Sequence, residues 1–360
     1  MFFDQKFKMN NKNWVKIWFS TNPQEVVTPT IADQLITLGI ENPQRKFTLV
    51  FSSSILDEEG RKKLNTLQTS YHENDFCNLS LHIEFLDIDS PDFIEKLDEN
   101  EQELFEYARL ELRSFSHGGN PAAASDIIRL LSPCYKQGIY TDFDVLLDFS
   151  NTLLSESGHE DIPAAVLIPT ISYKGRYCND VIIIASGVKA AELDFIKCLQ
   201  AGIVQMYRGE GLENILNNMQ MKRAEDDEKQ LDQMIKNVKR QRTTRNPLIA
   251  LRAEIEKKIK EGRSLDFWTE AYKQSVMQAS GPGMYRRVIY DQQFSPASVA
   301  SYHQVEKLRT LIKSQIDGQK NTASWIPQSA KQGLLIMNTI ALSEGNTPLV
   351  TEPVNTAPSL

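Results

Sequence analysis

The sequence predicts an α/β protein with a mostly parallel, Rossmann-like central sheet and a helical insertion. Three observations carry that prediction. Up to Gly138, β-branched and aromatic runs alternate with amphipathic segments, the order that lays helices on both faces of a parallel sheet. A strand-like run from Ile139 to Leu147 then carries Asp142-Phe143-Asp144 in its middle. Residues 212–261 add two amphipathic stripes of helical period to this α/β chain.

Taken in order, residues 14–20 (W-V-K-I-W-F-S) read as the first strand, with Trp14 and Trp18 available for packing. Thr30 to Leu38 reads as a short helix, Lys46 to Ser53 as a second strand and Leu56 to Tyr71 as a helix. Leu79 to Leu86 alternates cleanly enough for a third strand. Pro91 to Arg113 reads as one long acidic helix, burying Phe93, Leu97, Leu104, Phe105, Ala108 and Leu112. Pro121 suits the first turn of the next helix and Gly138 its stop. Within it Ile127, Leu130, Leu131 and Cys134 recur at buried-face spacing. Asp126 and Arg129 lie three apart and share a face just off that stripe.

Further strands are expected at Ala164–Ile171, Asn179–Ala185 and Met284–Tyr290, the last after the tight turn Ser280-Gly281-Pro282-Gly283. Lys189–Ala201 reads as a helix. In the insertion, Leu231, Met234, Ile235 and Val238 form one stripe, and Leu248, Leu251, Ile255 and Ile259 the other, after the cap Asn246-Pro247. From about Lys331 one apolar helix (334–342) precedes a proline-punctuated polar tail that is expected to be disordered. The organisation is thus a core of 1–211 and 262–330, an insertion of 212–261 and a tail of 331–360.

If 139–147 is a strand, alternation sends Asp142 and Asp144 to one side. Two such carboxylates repel and lose hydration unless a cation or donors offset them. Their hard oxygens suit Mg²⁺ or Mn²⁺ carrying a diphosphate, and the carboxyl ends of strands in such a sheet are where ligands bind. Taken alone, an acidic pair at a strand end is far more often plain surface; the Asp and Arg on the preceding helix change that balance toward a site.

A-A-A-S-D-I-I-R followed by G-I-Y-T-D-F-D-V resembles the core of the D-x-D glycosyltransferases of GT-A fold. The similarity is to the branch of the large glucosylating bacterial toxins and translocated effector glucosyltransferases. It is strong over about thirty residues and weaker across roughly 14–326. The resemblance implies retaining transfer of glucose or N-acetylglucosamine from a UDP-sugar. It also implies that Asp126 and Arg129 hold sugar hydroxyls while Asp142 and Asp144 take metal, ribose and sugar. Tyr140 falls in the same donor set, Trp18 at the uracil, and Asn179 beneath the anomeric carbon. In the late run Asn321-Thr322-Ala323-Ser324-Trp325, the resemblance gives Asn321 to the metal and Ser324 and Trp325 to a loop closing over the donor. Lys320 departs from the pattern, standing where larger members carry an acid. A GDP-sugar mannosyltransferase shares this motif, and a silent binding module shares the fold.

Composition narrows the partners. The 360 residues are 41% hydrophobic, enough for a substantial core, and a net charge of −7 argues against a nucleic-acid binder. Lys236, Lys239, Arg240, Arg242, Arg245 and Arg252 form a basic run. It is either a solvated face or, across 236–252, a surface for an acidic protein or anionic lipid headgroups. The resemblance favours a host protein acceptor, small GTPases being one class. Cys77, Cys134, Cys178 and Cys198 have no metal-binding spacing, so free thiols and a reducing compartment are expected. The N-terminus lacks a signal-peptide core and no run is long enough to span a membrane. The chain is expected to be soluble, translocated as an effector into a host cytosol or else cytoplasmic.

Overall fold

The computed structural model describes residues 7–73, 82–148, 159–171, 176–189, 192–219, 225–240, 246–292 and 294–314. A seven-stranded sheet runs in the order Val299–Ser301, Val166–Ile168, Val181–Ile184, Ile139–Thr141, Asn13–Ile17, Lys46–Phe51, Ile83–Asp87. Neighbours pair in parallel except around Val181–Ile184, which is antiparallel to both of its neighbours. The α/β architecture with a mostly parallel sheet is therefore as the alternation predicts. Trp14, Phe47, Leu49 and Val166 are fully buried at its centre.

The single reversed strand brings distant residues to one edge of the sheet. Its first residues stand beside the last residues of Ile139–Thr141, with Val181 opposite Thr141. Asn179 and Asp180 are thereby delivered to the carboxyl edge of the parallel strands. The amide of Asp142 donates to the carbonyl of Asp180 at 2.8 Å, extending the ladder one residue past the strand.

Several expected elements differ in ways that physical chemistry explains. The run 139–147 is two short strands, Ile139–Thr141 and Val145–Leu147, with Asp142 to Asp144 forming a turn between them. The second piece leaves the main sheet to pair with Ile312–Ser314. The expected 91–113 helix is split into Pro91–Ile94 and Glu99–Arg113, because Asp98 and Glu101 build a capping box that starts a new helix. The helix opened by Pro121 ends at Ile128, ahead of Gly138, and a short one follows at Ser132–Tyr135. Leu131 is extended between the two, and Pro133, which offers no N–H, sits in the first turn of the second.

Ala164–Ile171 is interrupted by Pro169, which cannot donate to the ladder, leaving Val166–Ile168 and Thr170–Ile171. The helix placed at 189–201 is Asp194–Tyr207. The expected strand at 284–290 is instead part of the helix Pro282–Asp291. Pro282 takes its first turn, and Met284, Tyr285 and Val288 are buried at helical rather than alternating spacing. Of Leu79–Leu86, residues 82–86 are described, and the strand is Ile83–Asp87. The 321–325 loop, the 334–342 helix and the tail lie outside the described residues.

In the insertion, Glu225–Arg240 and Pro247–Glu261 are helices as the stripes predict, and Asn246 caps the second. That helix is no free arm. Ile249 presses its carbonyl against Gly118, where a Cβ would stand 2.5 Å away, and Gly118 has a φ of +93°. Both conditions call for glycine there. Arg252, part of the basic run in sequence, is fully buried against Glu111 and so is no part of a basic surface. Lys236 and Lys239 are exposed but paired with Asp232 and Glu213, while Arg242 and Arg245 lie outside the described residues. Among the described cysteines only Cys134 is buried; Cys178 and Cys198 are part-exposed. No described helix is long and apolar enough to cross a membrane.

Candidate active site

The helix Pro121–Ile128 supplies the first two site residues, and three devices fix it. Asn120 caps its start, accepting from the amides of Ala122 and Ala123. Glu111 anchors the cap from outside by accepting the amide of Asn120 at 2.7 Å. At the far end Glu101 accepts both the amide (2.6 Å) and the hydroxyl (2.7 Å) of Ser132. Two glutamates ten residues apart on Glu99–Arg113 thus hold both ends of the segment that carries Asp126 and Arg129.

Those two form an ion pair at 3.1 Å, nine-tenths or more buried on both sides. Asp126 also accepts from the Asn179 amide at 2.7 Å and from the Ser280 hydroxyl at 3.1 Å. Burial pushes its carboxyl up to about 6 and Asp142 adds to the rise, with Arg129, Ser280 and Asn179 opposing. Arg129 spreads its fork further, donating to the Asn179 carbonyl at 2.5 Å and meeting an Asp142 carboxylate oxygen at 3.3 Å. Its guanidinium lies 4.2 Å from the Tyr140 ring centroid, and the Tyr140 hydroxyl donates to Asp142. Burial works against the Arg129 charge, but Tyr140, Asp142 and Asp126 outweigh it and hold the guanidinium charged.

Five predicted residues therefore form one cluster: Asp126, Arg129, Tyr140, Asp142 and Asn179. Asp144 sits in the adjoining turn, exposed to solvent. Its carboxyl is raised above the usual range, first by desolvation and then by Asp142. Trp18 packs edge-on against Phe143 of the same turn at 5.7 Å. The Trp18 indole nitrogen is buried without a partner among the described residues. Asn321, Ser324 and Trp325 lie outside the described residues.

Sequence reasoning missed three neighbours of this cluster. Lys16, from the strand Asn13–Ile17, donates to the Asp142 carbonyl at 2.7 Å; a lysine inside W-V-K-I-W was the available signal. Asp180 follows Asn179, and its carboxyl is raised to about 7 by burial first and by Asp142 and Asp144 next. Tyr285 is fully buried with its hydroxyl unpartnered among the described residues. Its charged neighbours are Arg129, Asp126 and Asp142. The strand expected at 284–290 concealed it.

The donor set fits a hard divalent cation in part. Asp142 and Asp144 offer oxygens in one turn, and one Asp180 oxygen is buried without a partner among the described residues. No group of three His, Cys, Asp or Glu side chains among the described residues could hold a metal by itself. A cation here would complete its shell from diphosphate oxygens and water, as Mg²⁺ commonly does.

The class of protein comes from the sequence comparison. The sequence model of glycosyltransferase family 88 matches residues 2–166, and the chain is a glycosyltransferase. Among solved structures it is similar to the PaToxG glycosyltransferase, at 19% identity over 79% of this chain and 87% of that one, with a TM-score of 0.41. The UDP-bound glycosyltransferase domain of the YGT toxin matches at 12% identity over 97% and 93%, TM-score 0.48. The catalytic domain of alpha-toxin from Clostridium novyi matches at 14% over 93% and 83%, TM-score 0.43. Comparison with curated proteins returned no match.

Proposed function

We propose that this glycosyltransferase moves glucose or N-acetylglucosamine from a UDP-sugar to a protein acceptor with retention of configuration. The observation that carries the reading is Arg129, which joins Asp126 and Asn179 on one side to the D-x-D turn on the other. A hexose placed there meets a carboxylate and a charged fork, groups that bind adjacent hydroxyls in a fixed orientation. That orientation turns binding energy into placement of the anomeric carbon.

Asp144 and Asp142 would hold Mn²⁺ or Mg²⁺, which when bound supplies Lewis-acid neutralisation of the departing diphosphate. Asn179, whose side-chain amide donates to Asp126 and whose backbone carbonyl accepts from Arg129, would lie beneath the anomeric carbon, as the resemblance implies. Trp18 stands beside the turn as an aromatic wall suited to a uracil face. Retention through a front-face attack guided by the leaving phosphate suits the resemblance. The acceptor in this reading is a host protein, as the resemblance to translocated effector glucosyltransferases implies.

The test is a panel of UDP-glucose, UDP-N-acetylglucosamine and GDP-mannose with Mn²⁺, reading nucleotide release. Release of UDP from one of the first two is expected. Release from GDP-mannose alone overturns the donor assignment, and release from none makes the chain a binding module.

A further inference from the structure

Lys16 occupies the middle of Asn13–Ile17, a strand paired on both sides, and is 1% exposed. A lysine is a poor choice for that place on packing grounds, since a buried ammonium loses several kcal/mol of hydration. The direction of its side chain shows what offsets the loss. Nζ donates to the Asp142 carbonyl at 2.7 Å and lies 5.5 Å from the Phe143 ring centroid. The side chain thus ends beneath the D-x-D turn, with no ion pair of its own among the described residues.

Burial works against its ammonium charge, and Asp142 and Asp144 favour that charge. Arg129, the other cation of the site, is already tied to Asp126, Asp142, Ser125 and Asn179. Four carboxylates (Asp126, Asp142, Asp144, Asp180) face these two cations. Lys16 is the one whose charge acts on the turn without being bound to a carboxylate.

We propose that Lys16 is a built-in counter-ion of the D-x-D turn: it holds the Asp142 backbone from beneath, and its fixed charge weakens the turn's grip on a divalent cation. A site that gripped metal and diphosphate too firmly would retain its product, and release often limits turnover. The inference rests on the reading of Asp142 and Asp144 as metal-binding.

The test uses the full chain and Mn²⁺ alone at pH 7, with free ion counted by its electron paramagnetic resonance signal. Lys16→Gln keeps a donor for the Asp142 carbonyl and removes the charge; Lys16→Met fills similar volume without a donor; Lys16→Arg keeps the charge. A unit charge a few ångströms from a divalent ion is a strong effect even at a high effective dielectric. Both neutral variants are therefore expected to bind Mn²⁺ about tenfold more tightly, with Lys16→Arg close to wild type. Unchanged or weaker Mn²⁺ affinity in a folded neutral variant overturns the proposal, and if Gln does not fold, Met carries the comparison. A wild type that binds no Mn²⁺, with or without UDP, fails at the earlier step and removes the metal reading along with this one.

Discussion

At the residue scale the site turns on Arg129. A guanidinium can serve Asp126, Asp142 and the Asn179 carbonyl together because its donors form a rigid fork. Lysine cannot. Arg129→Lys should keep the fold yet lower kcat/KM for donor hydrolysis by ~10²-fold or more; unchanged kinetics would make the cluster structural. Asp180 offers a second prediction. Its folded carboxyl, raised to about 7 from an ordinary 3.8, contributes stability that is full below pH 4 and lost as pH rises through 7. In metal-free buffer Tm should therefore fall from pH 4 to pH 7, and Asp180→Asn should flatten that slope. Equal slopes in both proteins would show that Asp180 titrates normally.

The same scale shows what the sequence could and could not tell. Asp126 and Arg129 were readable from the helical three-residue spacing and Asp142 from its place at a strand end, whereas Tyr140 came by resemblance. Asn179 reached the list by resemblance, and its placement depends on one strand reversing direction, which composition does not encode. Lys16 and Tyr285 arrive from opposite ends of the chain, and no local pattern could bring them to the turn.

At the element scale the helix Pro121–Ile128 is positioned by its neighbours more than by its own eight residues. Glu111 joins the Asn120 cap to Arg252 of the insertion through a 2.5 Å ion pair that is wholly buried on both sides. Removing one partner leaves a charge with less compensation. Arg252→Met should destabilise the protein by about 3–5 kcal/mol, read as a lowered denaturation midpoint. Glu111→Gln combined with Arg252→Met should recover part of that loss. The loss should also appear at the site as a raised donor KM, since the cap that Glu111 holds begins the donor helix. A destabilised variant with wild-type KM would uncouple the insertion from the donor site. The capping box that split 91–113 was legible as Asp98 and Glu101, three apart; its power to end one helix and start another was not.

At the scale of the whole molecule, charge divides unevenly. The chain carries −7 overall, yet the exposed end of Glu225–Arg240 closes on Lys239 and Arg240. Lys239 is shared with Glu213, which leaves a modest positive end rather than a broad basic face. Such an end steers an acidic partner more than it binds one. Charge reversal at Lys239 and Arg240 should slow acceptor modification at low salt and leave donor hydrolysis unchanged; equal modification rates would make this end a solvated face.

The most direct measurement of the central claim is UDP release from UDP-glucose and UDP-N-acetylglucosamine by the wild type, Asp142→Asn and Asp144→Asn, each with Mn²⁺ and with chelator. A metal-dependent D-x-D turn predicts release by the wild type with Mn²⁺, and its loss in both variants at unchanged Tm. Wild-type rates from either variant in chelator would contradict it.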